Sequence, residues 1–563
     1  MPHPSHPATR GSIAAGHPLT VEAGMEMFRL GGNAFDAVVA AVCASFIAEP
    51  MLTSPAGGGF LLAHAQSGQD ILFDFFTQTP GQKRNPAEVD FYPVLVDFGG
   101  VLQEFHIGLG SIATPGMMAG LFRVQQQLGR LPWSVVLEPA IHLARQGVEV
   151  TTFQAYNLKI LSPIIFASAA ARHLYMPGGT LVRAGDRLVL SDLANTLEEL
   201  ASGGADSFYR GDIAHQIVKD CQAQGGYLTQ TDLEQYRVIE RKPLKTNYRG
   251  HTVITNPPPS AGGTLIAFAF RLLEQADLSR FKFGSIAHLQ ILADTMRLTN
   301  MARLAGYDQQ LDQPDFADRF LAAEHLAQYE QLRTCRAGLN SGNAIQWENS
   351  PWENKWGSTT HVSAIDQDGN AASMTSSNGE GSSYVIPGTG IMMNNMLGES
   401  DLHPIGFHQW RENVRIASMM APTMILQNGQ PEIVLGSGGS NRIRTAILQV
   451  ISNLLDFKMP VAEAVAAPRV HWENGIFNLE PGLLPDEIHF SVQGAEPFRA
   501  GSLPNRSPFN QFPFDQTVEC WQSQNMFFGG VHAVTSSQGN MTGAGDARRG
   551  GAVGVVESRL EPS

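Results

Sequence analysis

Thr359 to Gly379 read TTHVSAIDQDGNAASMTSSNG. Two runs of small and β-branched residues, TTHVSAID and AASMTSS, flank Asp368-Gly369, a dipeptide suited to tight turns, so the segment predicts a β-hairpin. With the turn centred on that dipeptide, Ser377 falls opposite Thr360 and Asn378 opposite Thr359. Strict alternation then puts the Ser377 side chain on the face of Thr360. In that register it reaches the backbone nitrogen of Thr359 only at a twisted strand end.

A resting threonine hydroxyl is a weak nucleophile and needs a base beside it. A free α-amine on the same residue would serve, because its pKa of about 7.7 to 8.0 leaves much of it neutral near pH 7. Thr359 lies inside the chain and has no free amine. The junction of loop and strand at Ser358-Thr359 offers a route: the hydroxyl attacks the preceding carbonyl, the ester hydrolyses, and residue 359 becomes a new terminus. Two threonines at a strand start are also what β-propensity alone produces, and the residues by themselves leave both readings open.

Downstream, the apolar run EIVL leads into GSGGSN, Gly436 to Asn441, and then into RIRTAILQVISNLLDF. In that last segment Ile443, Ala446, Ile447, Val450, Ile451, Leu454 and Leu455 share one helical face, giving strand, glycine turn and helix. Unpaired amides at such a helix start favour negative charge. A phosphate loop would need a Walker lysine, and Asn441 stands where a dinucleotide fingerprint wants its last glycine. Two readings remain, an oxyanion site built from Gly438, Gly439 and Ser440, or a tight turn without a ligand.

Upstream, Thr20 reads as the N-cap of a helix over Val21 to Leu30, stopped by Gly31-Gly32. Asn33 and Asp36 cap a second helix, whose run Ala37 to Ala48 is apolar all round and belongs in a core. Pro50 closes it, and SPAGGGF, Ser54 to Phe60, opens a strand. Helical patterns dominate from Pro115 to Tyr329, interrupted by NPPPSAGG at Asn256 to Gly263. Cys335 to Gly357 lacks periodicity and reads as an exposed loop.

The chain of 563 residues is 43% hydrophobic and 8% aromatic, enough for one large core or two. Its net charge of -14 is spread without blocks, which argues against a nucleic-acid or anionic-membrane surface. Cys43, Cys221, Cys335 and Cys520 follow no metal spacing and read as buried free thiols. The N-terminal MPHPSHPATRGS has no basic start or apolar run, so the expected location is cytoplasmic. No apolar run is long enough to span a bilayer.

Taken in order, EAGMEMFRLGGNAFDAVVAA, SPAGGGF, ATPGMMAG, GGYLTQTDLEQY, NPPPSAGG, TTHVSAIDQDGN, GTGIMMNN, ASMMAPT, GSGGSNRI, APRVHWE and GDARRGGA resemble the γ-glutamyltranspeptidase (glutathione hydrolase) family of N-terminal-nucleophile hydrolases across nearly the whole chain. The resemblance implies a four-layer αββα sandwich built from both fragments of a self-cleaved precursor, residues 1–358 as a large subunit and 359–563 as a small one. Thr359 would be the nucleophile in both cleavage and catalysis, with its liberated amine as base. Ser377 matches the family threonine that hydrogen-bonds the nucleophile. The family's oxyanion pair falls on Gly439 and Ser440 by count, or on Gly438 and Gly439 if the missing proline shifts the loop.

The substrate clamp departs from the pattern. Phe76, in FFTQTP, occupies the position of the arginine that would hold an α-carboxylate, and a charge-assisted bond is lost with it. Ser418 matches one of two paired serines, whereas Met419 replaces the other. On the amine side Met396 stands for a Glu or Gln, Glu399 for an Asp and Gly379 for an Asn or Glu, with Glu380 beside it as a substitute. Arg415, Lys83 and Arg84 are candidate replacements for the arginine, or surface cations. Trp410 and Phe407 either wall a more apolar pocket or belong to the core, and His361 reads as structural.

The resemblance therefore implies an amidase that transfers a γ-glutamyl or other acyl group through an acyl-threonine ester to water or an amine acceptor. The alternatives are an acylase of the same family for a non-glutamyl amide, and a non-catalytic relative. No metal or organic cofactor is called for. The expected partners are a small-molecule amide, the acceptor and the two fragments of one precursor, with higher oligomers left open.

Overall fold

The computed structural model describes residues 8–98, 102–334, 357–483 and 517–557. Numbered in chain order, the strands of its two large sheets are β1 (Gly11–Ala15), β2 (Gly58–His64), β3 (Asp70–Phe75), β4 (Ile239–Arg241), β5 (Leu244–Tyr248), β6 (His251–Thr255), β7 (Thr360–Asp366), β8 (Ala371–Ser377), β9 (Thr423–Gln427), β10 (Gln430–Gly438), β11 (Gly530–Ser537), β12 (Asn540–Ala544) and β13 (Ala552–Val556). The first sheet runs β13-β1-β7-β8-β2-β3-β4 and the second β12-β11-β10-β9-β6-β5. All their pairings are antiparallel.

Alternation along the central strands sorts their side chains into two cores. Ile13, Leu61, Val362 and Met374 pack with helix α2 (Ala34–Ala48), while Ala14, Phe60, Leu62 and Ile365 turn toward the second sheet. Helices α3 (Gly262–Leu273) and α4 (Arg442–Leu455) cover the far side of that sheet. The layers are thus α, β, β and α, as the resemblance implies. All of α2 is buried, and each Val, Phe or Ile in it contributes roughly 1.5–3 kcal/mol.

Helix α2 starts at the expected capping box. Asn33 Oδ1 accepts from Phe35 N at 2.9 Å and Asp36 N at 3.1 Å, and Asp36 Oδ2 accepts from Asn33 N at 2.7 Å. Helix α1 (Pro18–Arg29) begins earlier than the sequence reading put it. His17 is its N-cap, accepting from Leu19 N, and Pro18 supplies the pre-set φ of a first helical residue. Thr20 is freed from capping and donates instead to buried Glu49, at 2.7 Å.

The hairpin also differs by one residue. Thr360 pairs with Ser376, not Ser377, because the loop is Gln367-Asp368-Gly369, one residue longer than the expected turn. Asp366 sets this length: its Oδ1 accepts from Asp368 N at 2.9 Å and Asn370 N at 3.0 Å, and Gly369 closes the loop at φ +85°. Its Oδ2 accepts from Ala34 N at 3.0 Å, tying the turn to the start of α2. Extending the register one step brings Ser377, not Asn378, opposite Thr359 and onto its face.

Helix α4 is buried on its polar face as well, where Thr445, Arg444 and Gln449 bond His471, Asn300 and the Val470 carbonyl of neighbouring elements. Cys43 and Cys221 are buried thiols, but Cys520 is exposed because its strand, Thr517–Cys520, lies at the edge of a small third sheet. Cys335 and the loop expected up to Gly357 fall outside the described residues, except for Gly357 itself.

Candidate active site

Thr359 immediately precedes β7 and continues the face of His361 and Ser363. That face looks into the gap between the sheets: Ser363 Oγ donates to the His532 carbonyl at 3.0 Å, and Ser373 on β8 donates to the Leu435 carbonyl at 2.9 Å. Ser377 ends β8 on the same side. Its hydroxyl donates to the Ser358 carbonyl at 2.7 Å and accepts from Gly379 N at 3.0 Å. The carbonyl just before Thr359 is therefore polarised by a hydroxyl that is itself held in place.

Strand β10 delivers the glycine loop to the other side of the same peptide. A Cβ on Gly438 would lie 2.2 Å from the Thr359 carbonyl oxygen, so only glycine allows this approach. Gly439 and Ser440 follow at φ +122° and +49° before α4 begins. Ser440 Oγ donates to Asp401 at 2.9 Å, which fixes a backbone conformation unusual for a residue with a side chain. Ser440 N also lies 3.0 Å from where a Gly357 Cβ would be. The amides of Gly439 and Ser440 lie just beyond the paired strand, whose last pair is Gly438 with Gly530.

Opposite charges bracket the peptide. Glu380 accepts from Ser358 N at 3.0 Å and from the Ser358 hydroxyl, while Arg549 donates to the Gly357 carbonyl at 3.1 and 3.2 Å. Burial pushes the Glu380 carboxyl up to about 7, against the Ser358 donors and nearby Arg549, which favour its charged form. Burial lowers Arg549 to about 10, with neighbouring Arg442 acting in the same direction. His361 is held well below its ordinary range by burial and bonds Thr375 and Ser363 at 2.8 Å each, consistent with the structural reading.

The family described as gamma-glutamyltranspeptidase matches residues 20–556. The chain belongs to the γ-glutamyltranspeptidase family. It is 33% identical over 488 residues to "Acylase ACY 1 proenzyme" of Pseudomonas sp. (strain SE83), covering 84% of this chain and 85% of that one. It is 31% identical over 508 residues to "Glutathione hydrolase proenzyme" of Escherichia coli (strain K12), covering 86% and 85%. In fold it matches the crystal structure of cephalosporin acylase from Bacillus halodurans, with a TM-score of 0.79 over 99% of this chain and 98% of that chain at 23% identity.

Within this γ-glutamyltranspeptidase-family chain the expected clamp residues scatter. Phe76 is buried and packs on Phe60 at 5.4 Å between ring centroids, in the core rather than a pocket. Arg415 does not stand free in its place: it donates to the Phe76 and Arg237 carbonyls and the Tyr236 hydroxyl, and lies 3.3 Å from Asp74. Lys83 sits over the Trp410 ring, and Arg84 leans on the Gln222 carbonyl at 3.5 Å. Met396 is core. Glu399 stays near the site, its carboxylate accepting from Glu380 N at 3.3 Å, and Asn395 accepts from the same amide at 2.8 Å.

Ser418 and Met419 line a cavity of about 620 Å³ together with Leu402, Trp410, Ile416 and Asp401. Phe407 instead packs against Phe91 and His106. The sequence reading missed Asp401, Asn395 and Arg549. For Arg549 the GDARRGGA motif held the signal, two arginines after an aspartate. Among the described residues no cluster of three or more His, Cys, Asp and Glu is arranged to hold a metal, and no helix is long and apolar enough to cross a membrane.

Proposed function

We propose that the chain is a self-processing amidase whose nucleophile is Thr359, freed by cleavage of the Ser358–Thr359 bond into fragments 1–358 and 359–563. The observation that carries this is the Ser377 hydroxyl on the Ser358 carbonyl at 2.7 Å, one bond from the proposed nucleophile. Attack of Thr359 Oγ on that carbonyl places the developing oxyanion against Ser377, and collapse breaks the C–N bond to leave an ester and a free amine. Water then hydrolyses the ester to the Ser358 carboxylate and restores the hydroxyl.

In turnover the Thr359 amine takes the proton from its own hydroxyl as Oγ attacks the substrate amide, and passes it to the leaving amine. The amides of Gly439 and Ser440 receive the oxyanion, and water or an acceptor amine releases the acyl group. The acyl group favoured here is a non-glutamyl one filling the cavity beside Met419 and Trp410, because the arginine candidates are engaged elsewhere. The γ-glutamyl reading keeps one specific support, the carboxylates of Glu380 and Glu399, which could hold an α-ammonium.

Intact mass spectrometry tests the cleavage: two fragments meeting between residues 358 and 359 are expected, and one full-length chain refutes it. Kinetics with γ-glutamyl-p-nitroanilide against straight-chain acyl anilides test the acyl group, the latter being expected to turn over faster.

A further inference from the structure

Arg442 opens α4 with no exposure to solvent. Its Nε donates to the Phe527 carbonyl at 3.1 Å and its guanidinium lies 4.8 Å from the Phe527 ring, yet among the described residues Nη1 and Nη2 have no hydrogen-bond partner. Buried orphan donors on a cation are costly and call for a ligand. The preceding carbonyl, Met526 O, takes Arg549 Nη2 at 3.4 Å, so one turn holds both guanidiniums side by side. Among the described residues Arg549 otherwise donates only to peptide oxygens, those of Gly357 and, at 3.4 Å, Thr359.

The surrounding carboxylates are committed elsewhere. Glu380 holds Ser358, Asp401 holds Ser440, Glu473 holds Asn441 and His471, and Asp546 pairs with Arg469 and Arg548. Glu380 and Asp546 act on Arg549, and Glu473 and Asp401 on Arg442, only through space; the hydrogen bonds of Arg549, beside the nucleophile, all go to neutral carbonyls, and Arg442 stands behind it. A guanidinium fork matches a carboxylate far better than it matches a single amide oxygen.

We propose that Arg549, backed by Arg442, is a carboxylate-binding site that opens beside Thr359 once the Ser358–Thr359 bond is cut. The inference rests on the self-cleavage reading above. Hydrolysis adds one water, leaves a carboxylate on Ser358 and an amine on Thr359, and frees Gly357 to leave Arg549. The bound acid is either that new terminus or the distal acid of a dicarboxylic monoamide substrate, whose other carbonyl Thr359 attacks. The second source puts the substrate anion on a different arginine from the one that Phe76 replaces.

The test uses processed enzyme, shown by intact mass to be in two pieces. Its crystal structure is solved without additive, and it is titrated calorimetrically with glutarate and with glutaramide, the neutral diamide. A Ser358 carboxylate on the Arg549 fork assigns the site to the new terminus. If the fork is clear of Ser358, glutarate should bind about tenfold or more tighter than glutaramide, the scale of a charge-assisted hydrogen bond, and Arg549→Gln should erase that preference. Should Arg549→Gln fail to mature, the two wild-type measurements decide alone. A cut enzyme with Ser358 elsewhere and no preference for glutarate overturns the inference by itself. A chain that stays whole overturns the cleavage reading and this inference with it.

Discussion

Ser377 and Glu49 sit on opposite faces of one strand start, and their chemistry separates their effects. Removing the Ser377 hydroxyl takes a donor from the developing oxyanion, so Ser377→Ala should slow self-cleavage by about 10²- to 10³-fold, followed as loss of the full-length band. Ser377→Thr should restore it, whereas a loss due to misfolding would not be rescued. Glu49 takes hydrogen bonds from Thr20 at 2.7 Å and Thr360 at 2.5 Å, and burial raises its carboxyl to about 7. A raised acid pKa means the folded chain holds that proton more tightly than the unfolded one. Its contribution to stability is complete below about 4.5 and is lost as pH rises through about 7. In an uncut Thr359→Ala background, the stability difference between Glu49 and Glu49→Gln proteins should fall over that window by roughly 3 kcal/mol, measured by denaturant unfolding. A difference that stays flat with pH would mean the carboxyl titrates normally.

The hairpin shows what a sequence conveys about an element and what it hides. Its existence, its strands and the pairing of Ser377 with the threonines were legible because turn residues and alternation are local properties. The register was not, because Asp366 captures two amides beyond itself and lengthens the loop by one residue. A one-residue slip moves Ser377 from the face of Thr360 to the face of Thr359. Capping followed the same rule: Asn33 and Asp36 announced α2, but Thr20 was drawn inward by Glu49, a partner distant in sequence. Asp366→Ala removes acceptors from the turn and from Ala34 N, and should cost about 3–5 kcal/mol while slowing self-cleavage. Unfolding in the Thr359→Ala background measures the first effect and band conversion in the otherwise native chain measures the second. Normal processing in a destabilised Asp366→Ala protein would show that the turn does not set the register at Ser377.

At the scale of the whole molecule, the two sheets meet so that β7, β8 and β10 converge on one peptide, while the cavity proposed for the acyl group is walled by segments near residues 259, 311, 402, 410 and 419. On the proposed reading, catalytic geometry depends on three strands whose patterns are readable, whereas specificity depends on loops brought together from across the chain. That is why the family-aligned position Phe76 misleads as a specificity residue. It lies in the core against Phe60, where a cation would lose its hydration at a cost of several kcal/mol. Phe76→Arg should therefore lower soluble yield and melting temperature without raising turnover of γ-glutamyl-p-nitroanilide. Met419, by contrast, faces the cavity, and Met419→Ala should favour longer acyl chains over shorter ones. One methylene in an apolar pocket is worth about 1–3 kcal/mol, so the ratio of kcat/KM for two acyl anilides differing by two carbons should move by about tenfold or more. If that ratio is unchanged in Met419→Ala, and Phe76→Arg gains glutamyl turnover instead, the acyl group enters from the Phe76 side and the cavity has another use.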